Sequence, residues 1–344
     1  MGPLTHSERP IRWGVIGAGG VAHGFATGLG SLPDARIVAV TSRRPSSARA
    51  FAARFGPMQV HHGVDELVRD PLVDVVYVAT PNHRHVHDTL SSLRHDKAVL
   101  CEKPFTLDAE QTHAVVDEAR RRGVFCMEAM WMRFTPAIGR AAQLIASGAI
   151  GEVRTLHADF SVRAPLDPAS RLFDPAMGGG ALLDLGVYPL SLADMLLGPA
   201  TVAGARVVMG PTRVDEHVAV VTTHGDDRFA VSTASLRAVG HNDAVVGGTG
   251  GSLRICGPIC RPTRLVWSTC PDEPVTRADD HPTPGRRGRR HAALVRRIRA
   301  RARVERVPLR GNGYEGEALE VMRCLRAGLA ESPGMPLDAT LRTM

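Results

Sequence analysis

Arg12-Trp13-Gly14-Val15-Ile16-Gly17-Ala18-Gly19-Gly20-Val21-Ala22 is the stretch on which the fold turns. Arg12 to Ile16 reads as a strand, the glycines as a turn, and the spacing of Val21, Phe25, Leu29 and Leu32 as a helix. Gly17 permits the tight turn and Gly19 lets the backbone approach a pyrophosphate. Ala22 keeps the helix close to the strand, so that phosphates can sit on the helix N-terminus. Gly17, Gly19, Gly20, Val21 and Ala22 are therefore candidate dinucleotide contacts. A glycine turn alone is weak evidence, and its place between a strand and a helix is what favours a nucleotide over a plain loop.

Downstream, a second strand (Ala35 to Val40) ends in Thr41-Ser42-Arg43-Arg44. A ribose with a free 2′-hydroxyl calls for an acid here. A hydroxyl and two guanidiniums suit a 2′-phosphate instead, so Ser42, Arg43 and Arg44 favour NADP over NAD. A helix follows from Ser46 to Phe55. Asp65 is read as the cap of a short helix ending at Arg69. The apolar run Val73 to Ala79 is a buried parallel strand ending at Thr80-Pro81-Asn82. The next helix carries His83, His85 and His87; only the first and last share a face, no carboxylates join them, and no metal site is expected.

Leu100-Cys101-Glu102-Lys103-Pro104 closes another strand. Ligands in open α/β sheets bind beyond the carboxyl ends of strands, which puts Lys103 where cofactor and substrate could meet. A helix (Asp108 to Arg122) and a strand (Val124 to Met127) complete an alternation that means a doubly wound parallel sheet, an α/β Rossmann domain. After Pro136 the pattern changes. A helix (Ala137 to Ser147) and a strand (Glu152 to Val162) precede Gly178-Gly179-Gly180, which opens a helix running to about Leu197. Strand-like runs follow at Val202–Val208, His217–Thr223, Arg228–Leu236, Ala244–Gly247 and Ser252–Cys256. This predicts a C-terminal α+β domain with an open, mostly antiparallel sheet. The expected division is a tail at 1–10, a nucleotide-binding domain at 11–130 and a second domain at 131–344. Asp184 and Tyr188, four apart, are expected on one helix face.

The net charge of +7 is local: between Arg286 and Arg306 lie ten arginines and one acid, which leaves the rest of the chain at −2. This segment belongs to an atypical arginine-rich insertion at about 272–308. A nucleic-acid patch lacks interleaved aromatic residues, so no nucleic-acid partner is expected. A solvated insertion with a thin apolar stripe (Leu294, Ile298, Ala302) and a segment without a core pattern remain as alternatives. Six cysteines without CxxC spacing argue against disulfides and zinc. With neither a signal-peptide pattern nor a continuous apolar run of about 18 residues, the expectation is a cytoplasmic protein that does not engage membranes.

Gly14–Ala22, Ala79-Thr80-Pro81-Asn82 with His85, Cys101-Glu102-Lys103-Pro104, Gly178–Tyr188 and Gly248-Thr249-Gly250-Gly251 together resemble the glucose-fructose oxidoreductase, inositol dehydrogenase and MocA (Gfo/Idh/MocA) family of NAD(P)-dependent oxidoreductases. Tyrosine at 188, with Met127–Phe134 and the late Glu331–Leu337 segment, is similar to the subgroup of dimeric dihydrodiol dehydrogenases and NADP-dependent D-xylose 1-dehydrogenases. The resemblance implies Lys103, Asp184 and Tyr188 as the catalytic set. Thr80, Pro81, Asn82, His85, Glu102 and Lys103 would contact the cofactor, and the open sheet would form a homodimer. Trp131, Arg133 and Phe160 are placed in the substrate pocket by position. The implied activity is hydride transfer between NADP and a small sugar, polyol or dihydrodiol, with Lys103 lowering the Tyr188 pKa so that the phenol can act as acid and base. The alternatives are a nucleotide-sugar ketoreductase, with Arg163 or Arg171 on a diphosphate, and a non-catalytic cofactor-binding regulator.

Overall fold

The computed structural model describes residues 9–269 and 302–344. The first sheet contains β1 (Ile11–Ile16), β2 (Ala35–Thr41), β3 (Gln59–His61), β4 (Val75–Val78), β5 (Ala98–Glu102) and β6 (Cys126–Ala129), ordered β3-β2-β1-β4-β5-β6. Every pairing in it is parallel. β4 and β5 are buried at each position, as strands covered on both faces must be. Alternate side chains serve two layers. Trp13, Tyr77 and Leu100 pack with Phe25 of α1 (Gly20–Leu29), while Val76, Val99 and Cys101 pack with Leu67, Val115 and Val116 on the other side. The remaining helices of this unit are α2 (Pro45–Phe55), α3 (Val64–Arg69), α4 (His85–Arg94) and α5 (Ala109–Arg122).

Two local expectations are corrected. Asp65 does not cap α3: Gly63 does, without a side-chain bond, and Asp65 lies in the first turn, where its charge still complements the helix dipole. The strand read from Val73 narrows to β4, although Asp74 N still donates to Arg12 O at 2.9 Å, while its carboxylate pairs with Arg9 and Arg12 at 2.9 and 2.8 Å. Asp108 does cap α5, accepting from the Gln111 N–H at 2.8 Å.

The second sheet has eight strands, β7 (Val153–Ser161), β8 (Thr201–Met209), β9 (Asp215–His224), β10 (Arg228–Ser235), β11 (Ala244–Gly248), β12 (Gly251–Cys256), β13 (Arg264–Thr269) and β14 (Arg303–Arg306). Their order is β14-β13-β12-β11-β7-β10-β9-β8, antiparallel except for the central β7–β10 pair. The helices α6 (Pro136–Ala146) and α7 (Val187–Leu197) pack against its inner face. Two later helices, α8 (Glu315–Arg326) and α9 (Leu337–Thr343), return to the first sheet. Asn312 donates to Gly24 O at 2.7 Å, Thr340 to Glu128 at 3.0 Å, and Arg120 pairs with Glu331 and Asp338. The end of the chain thus belongs spatially with its beginning, a return that a split at residue 130 leaves out.

Of the arginine-rich segment, β14 extends the sheet beside β13, and Ala302 is exposed and outside any helix. Leu294 and Ile298 lie outside the described residues. Pro175–Leu197 is long and apolar enough to cross a membrane by length and composition, yet 72% of its most apolar window is buried inside the fold. It is the core helical segment that delivers Asp184 and Tyr188.

Candidate active site

A cleft of about 670 Å³ runs along the carboxyl ends of β1, β2, β4 and β5. At one end it is lined by Gly17, Gly19 and Gly20 with Ser42, Arg43 and Arg44; at the other by Glu102, Lys103, Arg171 and Asp184. Val21, Thr80, Pro81, Asn82 and His85 line it between, while Ala22 is buried behind it against the sheet. Gly17 has φ 101°, and a Cβ there would stand 2.4 Å from Ala79 O. At Gly19 and Gly20 nothing lies within 4 Å of where a Cβ would be, and Gly19 caps α1 without any side-chain bond. Glycine at these two positions is not required by packing, and the free N–H groups of the helix end face open space. This fits a pyrophosphate. Arg43 and Arg44 form no ion pair with a described residue, and so retain their donors for a further anion.

Gly178-Gly179-Gly180 sets the far end. Gly178 and Gly180 have φ 72° and 124°, and a Cβ on Gly179 would sit 2.7 Å from Leu172 O and 2.8 Å from Arg171 O. The triplet lets the 171–174 loop close onto a single π turn (Leu182–Gly186) that carries Asp184 and runs into α7. Lys103 Nζ donates to Asp184 O at 2.9 Å and to its Oδ1 at 3.4 Å, and Arg171 donates to the same Oδ1 at 2.9 Å. Burial works to raise the Asp184 carboxyl, but Lys103 and Arg171 together hold it below its ordinary value. The Lys103 ammonium also lies 5.1 Å from the Tyr188 ring centroid. Residues 103, 184 and 188 are therefore gathered around one cation.

Tyr188 is buried, its hydroxyl accepts from Trp131 Nε1 at 2.9 Å, and Phe160 meets its ring edge-on at 5.1 Å. Burial pushes the phenol well above its ordinary value, against the pull of the Trp131 N–H. This corrects the expectation of a lowered pKa. Lys103 stands over the ring face at 5.1 Å from its centroid, and burial of the phenol outweighs it.

Two further site residues differ from expectation. Arg133 is buried away from the cleft, donating to Ser191 Oγ and O at 2.8 Å each and pairing with Asp194 at 3.4 Å, where Arg342 also binds. It fastens α7 in place. Both ring nitrogens of His85 face protein carbonyls, Pro104 O and Thr80 O, at 2.8 Å. Burial lowers its pKa against the pull of those two acceptors, and the ring acts on the Lys103–Pro104 turn rather than offering a donor to a ligand. Asn82 likewise donates to Gly178 O at 3.2 Å and ties the nucleotide loop to the glycine triplet. Glu102 is a buried carboxylate that accepts from the Tyr77 hydroxyl and from Lys103 N.

The sequence reading missed Tyr314, whose ring stacks on Trp131 with centroids 5.1 Å apart, and the part Arg171 plays at Asp184. Among the described residues no three His, Cys, Asp or Glu side chains gather as metal ligands.

A family model described as the oxidoreductase family with an NAD-binding Rossmann fold matches residues 11–130, and the GFO/IDH/MocA C-terminal domain matches 138–254. The chain belongs to the Gfo/Idh/MocA family. As a member it is an NAD(P)-dependent oxidoreductase acting on CH–OH groups. It is 33% identical to the trans-1,2-dihydrobenzene-1,2-diol dehydrogenase of Macaca fascicularis over 334 residues, covering 95% of this chain and 92% of that protein. The Bos taurus enzyme of the same name is 34% identical over 335 residues, with the same coverages. Among solved structures it is similar to KijD10, a 3-ketoreductase from Actinomadura kijaniata in complex with NADP and TDP-benzene. That likeness has TM-score 0.80 and 25% identity, over 97% of this chain and 95% of that one.

One compositional fact bears on Lys103. Of the 42 lysines and arginines in this chain, only Lys97 and Lys103 are lysines. Lys97 is buried and donates to Asp70 O and Val73 O at 2.7 and 2.8 Å. A compact ammonium is thus kept at two enclosed sites while exposed positive charge is carried by arginine. At Lys103 that compact ammonium lies between the Asp184 carbonyl, at 2.9 Å, and the Tyr188 ring, 5.1 Å from its centroid.

Proposed function

We propose that this family member is an NADP-dependent dehydrogenase of small sugars, polyols or dihydrodiols in which Tyr188 handles the proton, and that it works as a cytoplasmic homodimer. The observation that carries the reading is that Lys103 and Asp184 line one end of a cleft whose other end presents Ser42, Arg43 and Arg44, with the buried Tyr188 ring 5.1 Å from the Lys103 ammonium. A nicotinamide held there supplies or accepts the hydride. In reduction, the Tyr188 hydroxyl gives its proton to the carbonyl oxygen as the hydride reaches the carbon. In oxidation, its oxygen takes the proton from the substrate hydroxyl. Lys103 stands beside the charge that develops on oxygen, and Asp184 fixes its ammonium. Burial raises the phenol's pKa, which suits Tyr188 to the role of acid in reduction, and the rate of oxidation is expected to rise with pH.

A second reading, reduction of a nucleotide-linked ketosugar, is favoured by a separate cavity of about 380 Å³ lined by Arg163, Ala164, Pro165, Leu166 and Arg237. One of its arginines, Arg237, lies over the ring of Phe173, at 6.0 Å from its centroid. Guanidiniums there could take a diphosphate. Turnover assays separate the two. NADPH formation with pentoses, hexoses and trans-dihydrodiols, run beside NADPH oxidation with TDP-linked ketosugars and with NAD(H) in parallel, is expected to show NADP-dependent turnover of an unlinked substrate. Turnover confined to nucleotide-linked sugars would replace the first reading with the second.

A further inference from the structure

We infer that Arg171 is a positioning residue for hydride transfer, the cation that leaves Lys103 with net positive charge to spend beside Tyr188. The inference rests on the proposed role of Lys103, Asp184 and Tyr188 and explains how that set keeps its charge. The Asp184 carboxylate carries one negative charge, and two cations share its Oδ1: Arg171 at 2.9 Å and Lys103 at 3.4 Å. The shorter contact is the arginine's. Lys103 makes its own short bond, also 2.9 Å, to the main-chain oxygen of Asp184, which carries no formal charge. The trio therefore bears a surplus of one positive charge. Without Arg171 it would be a neutral pair whose field at the Tyr188 hydroxyl largely cancels.

The fold is built to hold Arg171 in this position. Gly179 presses against the carbonyls of Arg171 and Leu172 at distances no side chain tolerates, and the Gly180 N–H donates to Leu172 O at 3.0 Å. The glycine triplet thus serves a second purpose besides opening the helix: it clamps the loop that delivers the guanidinium. Arg171 makes no other ion pair among the described residues, and about half of its side chain is exposed to the cleft, so it is not needed to bury Asp184. The other charged or titratable groups around Lys103 are Glu102, which precedes it, and His85, Glu128, Tyr188 and Cys260 on neighbouring elements. Of all these groups Arg171 is the one whose charge falls on the same carboxylate oxygen as Lys103.

The scarcity of lysine makes the test direct. Reductive ¹³C-methylation of the full-length protein labels only Lys97, Lys103 and the chain terminus, and an NMR titration reads Lys103 without any turnover. Arg171→Gln keeps a hydrogen-bond donor and loses the charge; Arg171→Lys keeps the charge. In Arg171→Gln the Lys103 midpoint is expected to rise by about half a unit to one unit, because Asp184 then belongs to Lys103 alone and a like charge has gone. Its kcat is expected to fall about tenfold, with KM for NADP within about twofold of the parent. Arg171→Lys is expected to restore the midpoint and most of the rate. An arginine with no part in the reaction would lower Tm in both variants while Arg171→Gln kept the parental kcat, and that result, or an unmoved Lys103 midpoint, would overturn the inference. The role of Tyr188 fails separately: parental turnover in Tyr188→Phe would remove that reading while the Lys103 shift still stood.

Discussion

In the proposed function Arg43 and Arg44, which line the cleft, would hold the 2′-phosphate of NADP. Each charge-assisted bond to a phosphate is worth about 1.5–3 kcal/mol, or roughly tenfold to a hundredfold in affinity. Replacing both with Ala is expected to weaken NADP at least tenfold more than NAD, measured by equilibrium binding of each; equal loss for the two cofactors would remove the basis for an NADP preference. At this scale the sequence is legible where a residue's chemistry has few alternatives. Gly17 needs φ 101°, and Lys103 follows a buried strand into the cleft. Arg133 and His85 were misjudged because a sequence shows the type of a polar side chain but not whether main-chain carbonyls already satisfy it. The Tyr188 pKa was misjudged for a related reason. Proximity to an ammonium is readable from a motif, whereas burial of the phenol depends on Phe160, Trp131 and the whole of α7.

β8 is the element whose surroundings raise a question, since all nine of its residues are exposed. The strand registers place Val208 of β8, Val221 of β9, Phe229 of β10, Val245 of β11 and Val304 of β14 on one outer face, each exposed. No described helix covers that face, while α6 and α7 cover the other. These exposed apolar side chains share the face with Arg206, Thr223, His157 and Arg254, a mixed surface of the kind a subunit interface can cover, and a second copy is the occupant the proposed homodimer supplies. Sedimentation at micromolar concentration is expected to give a dimer, and the pair Val221→Lys and Phe229→Asp a monomer with its fold intact. A parental protein sedimenting only as a monomer would contradict this. The strands of this sheet were legible from alternation as far as β12. β13 and β14 were not: the segment between them breaks the pattern, and β14 is a four-residue run of arginine, valine and glutamate.

Across the whole molecule the proposed reaction centre is assembled from distant parts of the chain. Lys103 comes from the first sheet, Asp184 and Tyr188 from the segment leading into α7, and Trp131, which bonds the Tyr188 hydroxyl, is stacked by Tyr314. Gly313 makes that stack possible, since a Cβ there would meet the Trp131 ring at 2.7 Å. The two-part architecture followed from the order of elements, but the return of α8 and α9 to the first sheet did not, because nothing local in Tyr314 or Thr340 names a partner two to three hundred residues earlier. The account's central claim is that one buried phenol in this assembly moves the proton. The most direct measurement is kcat for carbonyl reduction at neutral pH by Tyr188→Phe, with NADP affinity measured on the same protein. The account predicts a loss of about 10²–10⁴-fold in kcat with NADP affinity nearly unchanged. A variant that folds, binds NADP and reduces the substrate at the parental rate would contradict it.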